Sequence, residues 1–433
     1  MDRRTIAATT AANLCSGCGA CKGICPKDCI DWEFSKGMYL PVIDSAKCVQ
    51  CGLCAEVCSG LCHSYEIKAT AKETITGPVL ECYNSWCTDP EIRHFSASGG
   101  VITTITRDLL SCRKYHSVFC LNTYSYQSQL QAVRFTKEDY LCGEDYGSAP
   151  KSRYLPVSHE ETLRYMKAHR DERIIITGTS CALRSLNSAI EKLKLNRDNY
   201  LLIGLFCDSV FNYNILPYLE DHFCSGKRLS AFHFKNKDSG GWPGDMKLFP
   251  EHGDSFFVPI GERISLKQYF VPERCLYCVD KLNVVADISI GDNYTSQHSS
   301  KLGSNSVIVR TKRGMDAWSS AQSCLCSYPI EISEIQNAQF LEGRLNNLYF
   351  GMLKAKHSCT LNSGIPTEQA PIEFLPAWRK RLKTLNAGAC YCTSPAKLKR
   401  QFKVASKKRG RIHSFLNRSI AYADKLWNKR KYS

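Results

Sequence analysis

Short runs of aliphatic and β-branched residues recur through the middle of the chain, each followed by helical spacing. Arg173-Ile174-Ile175-Ile176-Thr177 is one such run; Gly178-Thr179 ends it, and an amphipathic stretch from Cys181 to Leu193 follows. Leu201 to Phe206 is a second, followed by a helical pattern from Ile215 to His222. Ala286 to Ile290 and Ser306 to Arg310 read as further buried strands, and Val101 to Leu110 as a helix. Strands alternating with helices predict a sheet layered by helices, a mixed α/β body. No apolar run approaches the roughly 20 residues that a membrane-spanning helix needs. Residues 1–13 lack the apolar stretch of a secretory signal, so a cytoplasmic location is expected.

In the first sixty residues the period belongs to cysteine instead. Cys15-x2-Cys18-x2-Cys21-x3-Cys25 recurs as Cys48-x2-Cys51-x2-Cys54-x3-Cys58, with Gly19 and Gly52 after the second Cys of each run. A [4Fe–4S] cube needs four thiolates, and in this spacing three wrap one cube while the fourth ligates the other. Cys15, Cys18, Cys21 and Cys58 are thus expected on one cluster, and Cys48, Cys51, Cys54 and Cys25 on the second. Pro26 follows the first run as bacterial ferredoxins require, while Ser59 stands in the equivalent place after the second. The alternative is structural zinc, which usually takes two widely separated C-x2-C pairs.

Length, cysteine count and charge refine this division. The expected architecture is α+β: a two-cluster ferredoxin-like module over 1–62, a connector over 63–95, a catalytic body over 96–350 and a basic, mostly helical region over 351–433. The chain carries 25 cysteines, which in a long chain without a secretory signal point to metal rather than disulfides. Its net charge of +16 comes from the C-terminal region, where 17 Lys/Arg stand against one acid from Pro376 onward. Leu398, Phe402, Ile412, Phe415, Leu416, Ile420 and Trp427 interleave with that charge. The tail is read as a solvated basic helix closing on the body or as a peripheral contact with an anionic membrane surface at the inner face. Nucleic acid is not an expected partner, because no nucleic-acid-binding motif is present.

Within the body, Ser98-Gly99-Gly100 opens a helix, as a phosphate-binding turn or a plain tight turn would. Gly178-Thr179-Ser180-Cys181 and Cys207 lie at strand ends, Cys275-x2-Cys278 sits among aromatic and basic residues, and Gly291-Asp292 closes a strand. In order, the stretches SASGGVITTI, KSRYLPV, IITGTSCALRSL, LLIGLFC, FHFKNKDSGGW, CLYC, ADISIGDNY and GSNSVIVRTKRG resemble the family of coenzyme F420 hydrogenase and dehydrogenase beta subunits. The resemblance covers most of residues 95–315 and implies a flavoprotein body that binds FAD. Ser98, Gly99 and Gly100 would face FAD phosphates; Ser152, Arg153 and Tyr154 would lie near the flavin; Gly178, Thr179, Gly291 and Asp292 would line its pocket. Cys181, Cys207, Cys275 and Cys278 would hold a probable third [4Fe–4S] cluster. A C-x2-C pair with two strand-end cysteines suggests the same four convergent thiolates independently; buried free thiols are the alternative. The sequence departs from the family at Ser180, where Pro is usual, and over Asp208 to Asn212, a loop expected to face substrate.

Cys29, Cys62, Cys82, Cys87, Cys112, Cys120, Cys142, Cys224 and Cys359 fit no cluster spacing and are read as structural thiols, as are the pairs Cys324/Cys326 and Cys390/Cys392. Catalytic residues are not legible, with His94 the one candidate proton donor. The leading expectation is an oxidoreductase passing electrons between ferredoxin, or another one-electron carrier, and an unknown organic substrate through the clusters and FAD. A bacterial polysaccharide pathway is one setting for it. A non-catalytic electron-relay subunit is the alternative, and a redox sensor a third idea.

Overall fold

The computed structural model describes residues 5–61, 66, 68–121, 129–141, 152–295, 297, 300–348, 365 and 374–390. Cys62, Cys142, Cys359, Cys392 and the basic clusters after residue 390 lie outside them. The strands are β1 (Ile30–Ser35), β2 (Met38–Ile43), β3 (Glu81–Cys87), β4 (Ser117–Leu121), β5 (Leu130–Thr136), β6 (Val157–Ser158), β7 (Ile174–Thr179), β8 (Tyr200–Leu205), β9 (Leu229–Asn236), β10 (Asp245–Pro250), β11 (Phe256–Val258), β12 (Ile288–Asp292), β13 (Asn305–Val309) and β14 (Leu325–Pro329). β1 and β2 form a hairpin, β9 to β11 a small sheet, and the other nine a main sheet in the order β14-β3-β13-β12-β8-β7-β4-β5-β6.

β12, β8, β7 and β4 run parallel at the centre. Ile174, Ile175, Ile176, Leu201, Leu202 and Ile203 are all buried, because helices cover both faces. Two-sided burial is why these strands read as unbroken apolar runs. Leu183, Leu186 and Ile190 of the helix Ser180–Lys192 pack on one face with Ile176 and Leu202. Ile105 and Leu109 of the helix Val101–Ser111, with Trp318, pack on the other with Ile175 and Ile203. The strands and helices expected from periodicity all form within two residues of their expected ends.

Residues 81–87, inside the stretch read as a connector, form β3, paired with β13 and β14. Asn84 and Ser85 of this strand are buried. Their bonds run to Gln297 O (3.2 Å) and Cys326 O (3.0 Å), so the apolar pattern that marks a strand is missing. A second polar hub lies just ahead of β12. Asp287, fully buried, accepts from Leu202 N (2.8 Å) and Arg197 Nη2 (3.0 Å) on one oxygen, and from Thr311 Oγ1 (2.8 Å) and Arg313 Nη1 (2.9 Å) on the other.

The cysteine-rich module shares its core with the body: Ala20, Ile24 and Val57 pack with Leu163, Met166 and Leu186. A Cβ on Gly19 would lie 2.3 Å from Ser158 Oγ and 2.9 Å from Glu160 N. Glycine is therefore required by the close approach of module and body, as well as by its φ of 75°. The helix Phe374–Ala389 closes on the same region, with Leu382 and Leu385 packed against Leu14, Val271 and Leu276.

Candidate metal centre

The two cysteine runs share one backbone form. Gly19 and Gly52, both left-handed, each start a one-turn helix, Ala20–Ile24 and Leu53–Glu56. The fourth thiol of each run crosses to the other group. Cys21 has Cys15, Cys18 and Cys58 as its leading charged neighbours, whereas Cys54 has Cys51 and Cys25. Burial pushes the Cys15 thiol up to about 12 and raises Cys21 well above an ordinary thiol. Iron must supply the positive charge that makes such buried sulfurs thiolates. Gly17 N donates to Cys15 Sγ (3.4 Å) and Gly60 N to Cys58 Sγ (3.3 Å), and Thr9 Oγ1 lies 3.3 Å from Cys58 Sγ. Bonds of this kind stabilise ligand charge and tune cluster potential.

Among the described residues, no three His, Cys, Asp or Glu side chains close on the position of a single ion. The second group instead surrounds a recess lined by Cys25, Cys48, Cys51, Cys54 and Cys29. Cys29, read as a structural thiol, is thus a fifth sulfur at this recess, its Sγ 3.4 Å from Cys25 Sγ. Spacing could not reveal it, because the hairpin β1–β2 rather than the cysteine run holds it there.

Cys181, Cys207, Cys275 and Cys278 come together from three segments, with Cys275, Cys181 and Cys278 the charged neighbours of Cys207. Burial raises Cys207 well above the usual range and Cys275 to about 12. The gathering is built by hydrogen bonds. Ser180 Oγ donates to Asp280 O (2.6 Å), Arg184 Nη2 pairs with Asp280 Oδ2 (2.9 Å), and Cys207 N donates to Lys281 O (2.9 Å). Two arginines face this group. Arg274 directly precedes Cys275, and Arg344 Nη2 donates to Cys207 O (3.2 Å) while its Nη1 pairs with Asp208 (3.2 Å).

The residues read as flavin contacts lie at one end of the central strands and in the turn before the helix Val101–Ser111. Ser98 Oγ donates to Ser304 O (2.7 Å), and Asn305 Oδ1 accepts from Val101 N (3.4 Å). A Cβ on Gly99 would lie 2.7 Å from Asn305 Oδ1, and one on Gly291 2.2 Å from Phe206. A Cβ on Gly178 would meet Leu183 at 3.1 Å. Close packing favours glycine at Gly99 and Gly291, and Ser98 Oγ and Val101 N of the turn find acceptors within the protein. Thr179 Oγ1 lies 3.3 Å from Cys181 Sγ, on the side of the third thiol group. Asp292 instead belongs to a polar cluster with Lys235, Trp242 Nε1 (3.4 Å) and Tyr294 Oη (3.1 Å). Burial would raise the Asp292 carboxyl, but Lys235 and these donors hold it below the usual carboxylate range. Tyr154, left-handed at φ 58°, places its ring 5.9 Å from Lys235 Nζ. Arg153 is buried beside it, after the half-buried Ser152. His94 pairs with Asp238 (3.3 Å) at the surface.

Residues 171–334 match the family model for the C terminus of the coenzyme F420 hydrogenase/dehydrogenase beta subunit, and residues 14–60 match the 4Fe–4S dicluster domain. Residues 171–334 thus form a domain of the F420 hydrogenase/dehydrogenase beta-subunit family, set behind a dicluster domain. Among its relatives is a coenzyme F420-dependent sulfite reductase of Methanocaldococcus jannaschii, 24% identical over 320 residues, covering 70% of this chain and 45% of that protein. The chain thus spans under half of that relative. The F subunit of the F420H2 dehydrogenase of Methanosarcina mazei is 21% identical over 71% of this chain and 82% of that protein. The beta subunit of the coenzyme F420 hydrogenase of Methanosarcina barkeri is 24% identical over 57% and 79%. A chain of the F420-reducing [NiFe] hydrogenase complex of Methanosarcina barkeri shares the fold, with a TM-score of 0.50 at 20% identity over 68% of this chain and 98% of that one.

The places where this F420 beta-subunit homologue departs from the family and ferredoxin patterns acquire structural reasons. Ser180 supplies the hydroxyl that ties Cys181 to the Asp280 loop. Ser59, where ferredoxins have Pro, donates its N–H to Ser185 Oγ (3.1 Å) and accepts from Arg274 Nη2 on its carbonyl (2.9 Å). Proline has no N–H to give. Most of the loop 208–212 is packed against the body and the module. Ser209, Phe211 and Asn212 are buried, Phe211 N donates to Tyr154 O (2.6 Å), and Tyr213 N donates to Gly37 O of the module (2.7 Å). Asp208 is held by Arg344 (3.2 Å) and Lys267 (3.3 Å). Ser59→Pro should destabilise the reconstituted protein by about 1–3 kcal/mol, the cost of a buried acceptor left unmade. Ser59→Ala, which keeps the N–H, should lose less than half of that. Equal denaturation midpoints for the two variants would contradict this assignment.

Proposed function

We propose that this chain is an iron–sulfur electron-relay subunit of an F420-type hydrogenase or dehydrogenase complex. It carries single electrons from a ferredoxin-like carrier, through its two N-terminal clusters, to a third cluster on Cys181, Cys207, Cys275 and Cys278. The observation that carries this reading is the shared core of module and body, with Cys18 Sγ 3.6 Å from Ser185 Oγ on the same helix as Cys181. Electrons enter or leave at the second cluster, where Cys51 is exposed and Val49 is 58% exposed.

A second reading adds FAD and a two-electron organic substrate. The buried Arg263 Nε, without a hydrogen-bond partner among the described residues, and the Lys235–Asp292–Tyr294 cluster favour it, since they offer charge to a polar ring. A flavin there would exchange one electron with the clusters and two with the substrate. Anaerobically purified chain, assayed for flavin and for dye-linked turnover of coenzyme F420, separates the two. The relay reading expects visible absorbance bleached by a one-electron donor, less than about 0.1 flavin per chain, and no turnover by the chain alone. Stoichiometric flavin with turnover would establish the second reading in its place.

A further inference from the structure

The contact between the module and the Cys275 loop holds a feature that neither cluster needs for ligation. Arg274 precedes Cys275, and Ser59 follows Cys58. Arg274 is 5% exposed and Ser59 2%. Arg274 Nη2 donates to Ser59 O at 2.9 Å and lies 3.4 Å from Ser59 Oγ. Ser59 N is anchored in turn on Ser185 Oγ, on the helix that begins beside Cys181. Apolar side chains seal this joint, with Leu14 next to Cys15 packed against Val271, Leu276 and Cys275. A guanidinium is therefore fixed, out of water, where the residue after Cys58 meets the loop of Cys275.

We propose that Arg274 is a positioning residue whose single charge is shared by the first N-terminal cluster and the cluster of Cys181, Cys207, Cys275 and Cys278, raising the reduction potential of both. This rests on the reading of those four cysteines as a cluster site. Each four-thiolate [4Fe–4S] cluster gains one electron on reduction, taken from a one-electron donor, and its total charge goes from −2 to −3 with no bond made or broken. A fixed positive charge stabilises the more negative state, and in a water-poor joint that attraction is weakly screened. Electrons reaching either cluster are stabilised by the same residue, so its loss should lower both potentials together. Arg344 gives the contrast. Its hydrogen bonds run to Cys207 O at 3.2 Å, to Asp208 O at 2.8 Å and to the Asp208 carboxylate at 3.2 Å, all beside the third group.

The test is potentiometric titration of the full reconstituted chain followed by electron paramagnetic resonance, with iron counted in the same samples. Arg274→Gln should shift the reduction equilibrium of two clusters unfavourably by about tenfold each, or ~59 mV for a one-electron couple. Arg344→Gln should shift only one. If Arg274→Gln loses iron, Arg274→Lys replaces it. Its ammonium cannot span Ser59 and the Cys275 loop, and both potentials should fall together by a smaller amount. About twelve irons in the parent with potentials unmoved in the Arg274 variant, or with only one moved, overturns the shared charge while leaving the third cluster standing. About eight irons in the parent removes the third cluster, and the shared charge with it.

Discussion

Replacing Cys58 with alanine is expected to remove the first N-terminal cluster and leave the second intact, although Cys58 belongs to the second cysteine run. The reason is the crossing of the fourth thiol, which sets Cys58 with Cys15, Cys18 and Cys21. Iron should fall by about four atoms per chain, one cube. The spectrum of reduced Cys58→Ala should match that of Cys15→Ala and differ from that of Cys51→Ala. The first cluster adjoins the Ser59–Arg274 joint, so reduction of the third should slow sharply while the outer cluster still takes electrons from the donor. A Cys58→Ala spectrum that matches Cys51→Ala would mean that each run closes on its own cube.

Asp287→Ala carries the largest expected loss of stability. The carboxylate is fully buried and satisfies four donors from three segments, including the backbone of Leu202 in β8. Removing one partner of a buried charged network costs about 3–5 kcal/mol, because the others are left unpaired. The side chain of Arg197 is 29% exposed and that of Arg313 18%, so both can regain some water, which puts the expected value near the lower limit. Thr311→Val removes one neutral donor and should cost about 1 kcal/mol. Denaturation midpoints on the reconstituted protein measure both; a loss below about 1 kcal/mol for Asp287→Ala would show that the hub is dispensable.

What could be read from the sequence follows from how local each determinant is. A cube is gripped by residues two and three apart, so the cysteine runs announce themselves without a fold. The central parallel strands do the same, because burial on both faces leaves nothing but apolar residues in Ile174 to Ile176 or Leu201 to Ile203. β3 was hidden because two of its buried positions, on opposite faces, are Asn84 and Ser85, whose donors find acceptors more than 200 residues away. The joint between clusters was hidden for the same reason, since Ser59 meets Ser185 and Arg274 only in the folded chain. Its one trace in the sequence was serine in a proline position, which reads as a small departure until the N–H has a partner. Gly99 and Gly291 show the opposite case. A glycine beside a helix start or strand end suggests a ligand, yet Asn305 and Phe206 already fill the space where a Cβ would stand.

Iron and acid-labile sulfide, counted per chain in anaerobically reconstituted protein beside its Cys278→Ala variant, test the relay most directly. The account predicts about twelve of each in the parent and about eight in the variant, with the eight retained by the amino-terminal thiols. Zinc in place of iron, or a parent and variant with equal counts, would contradict it.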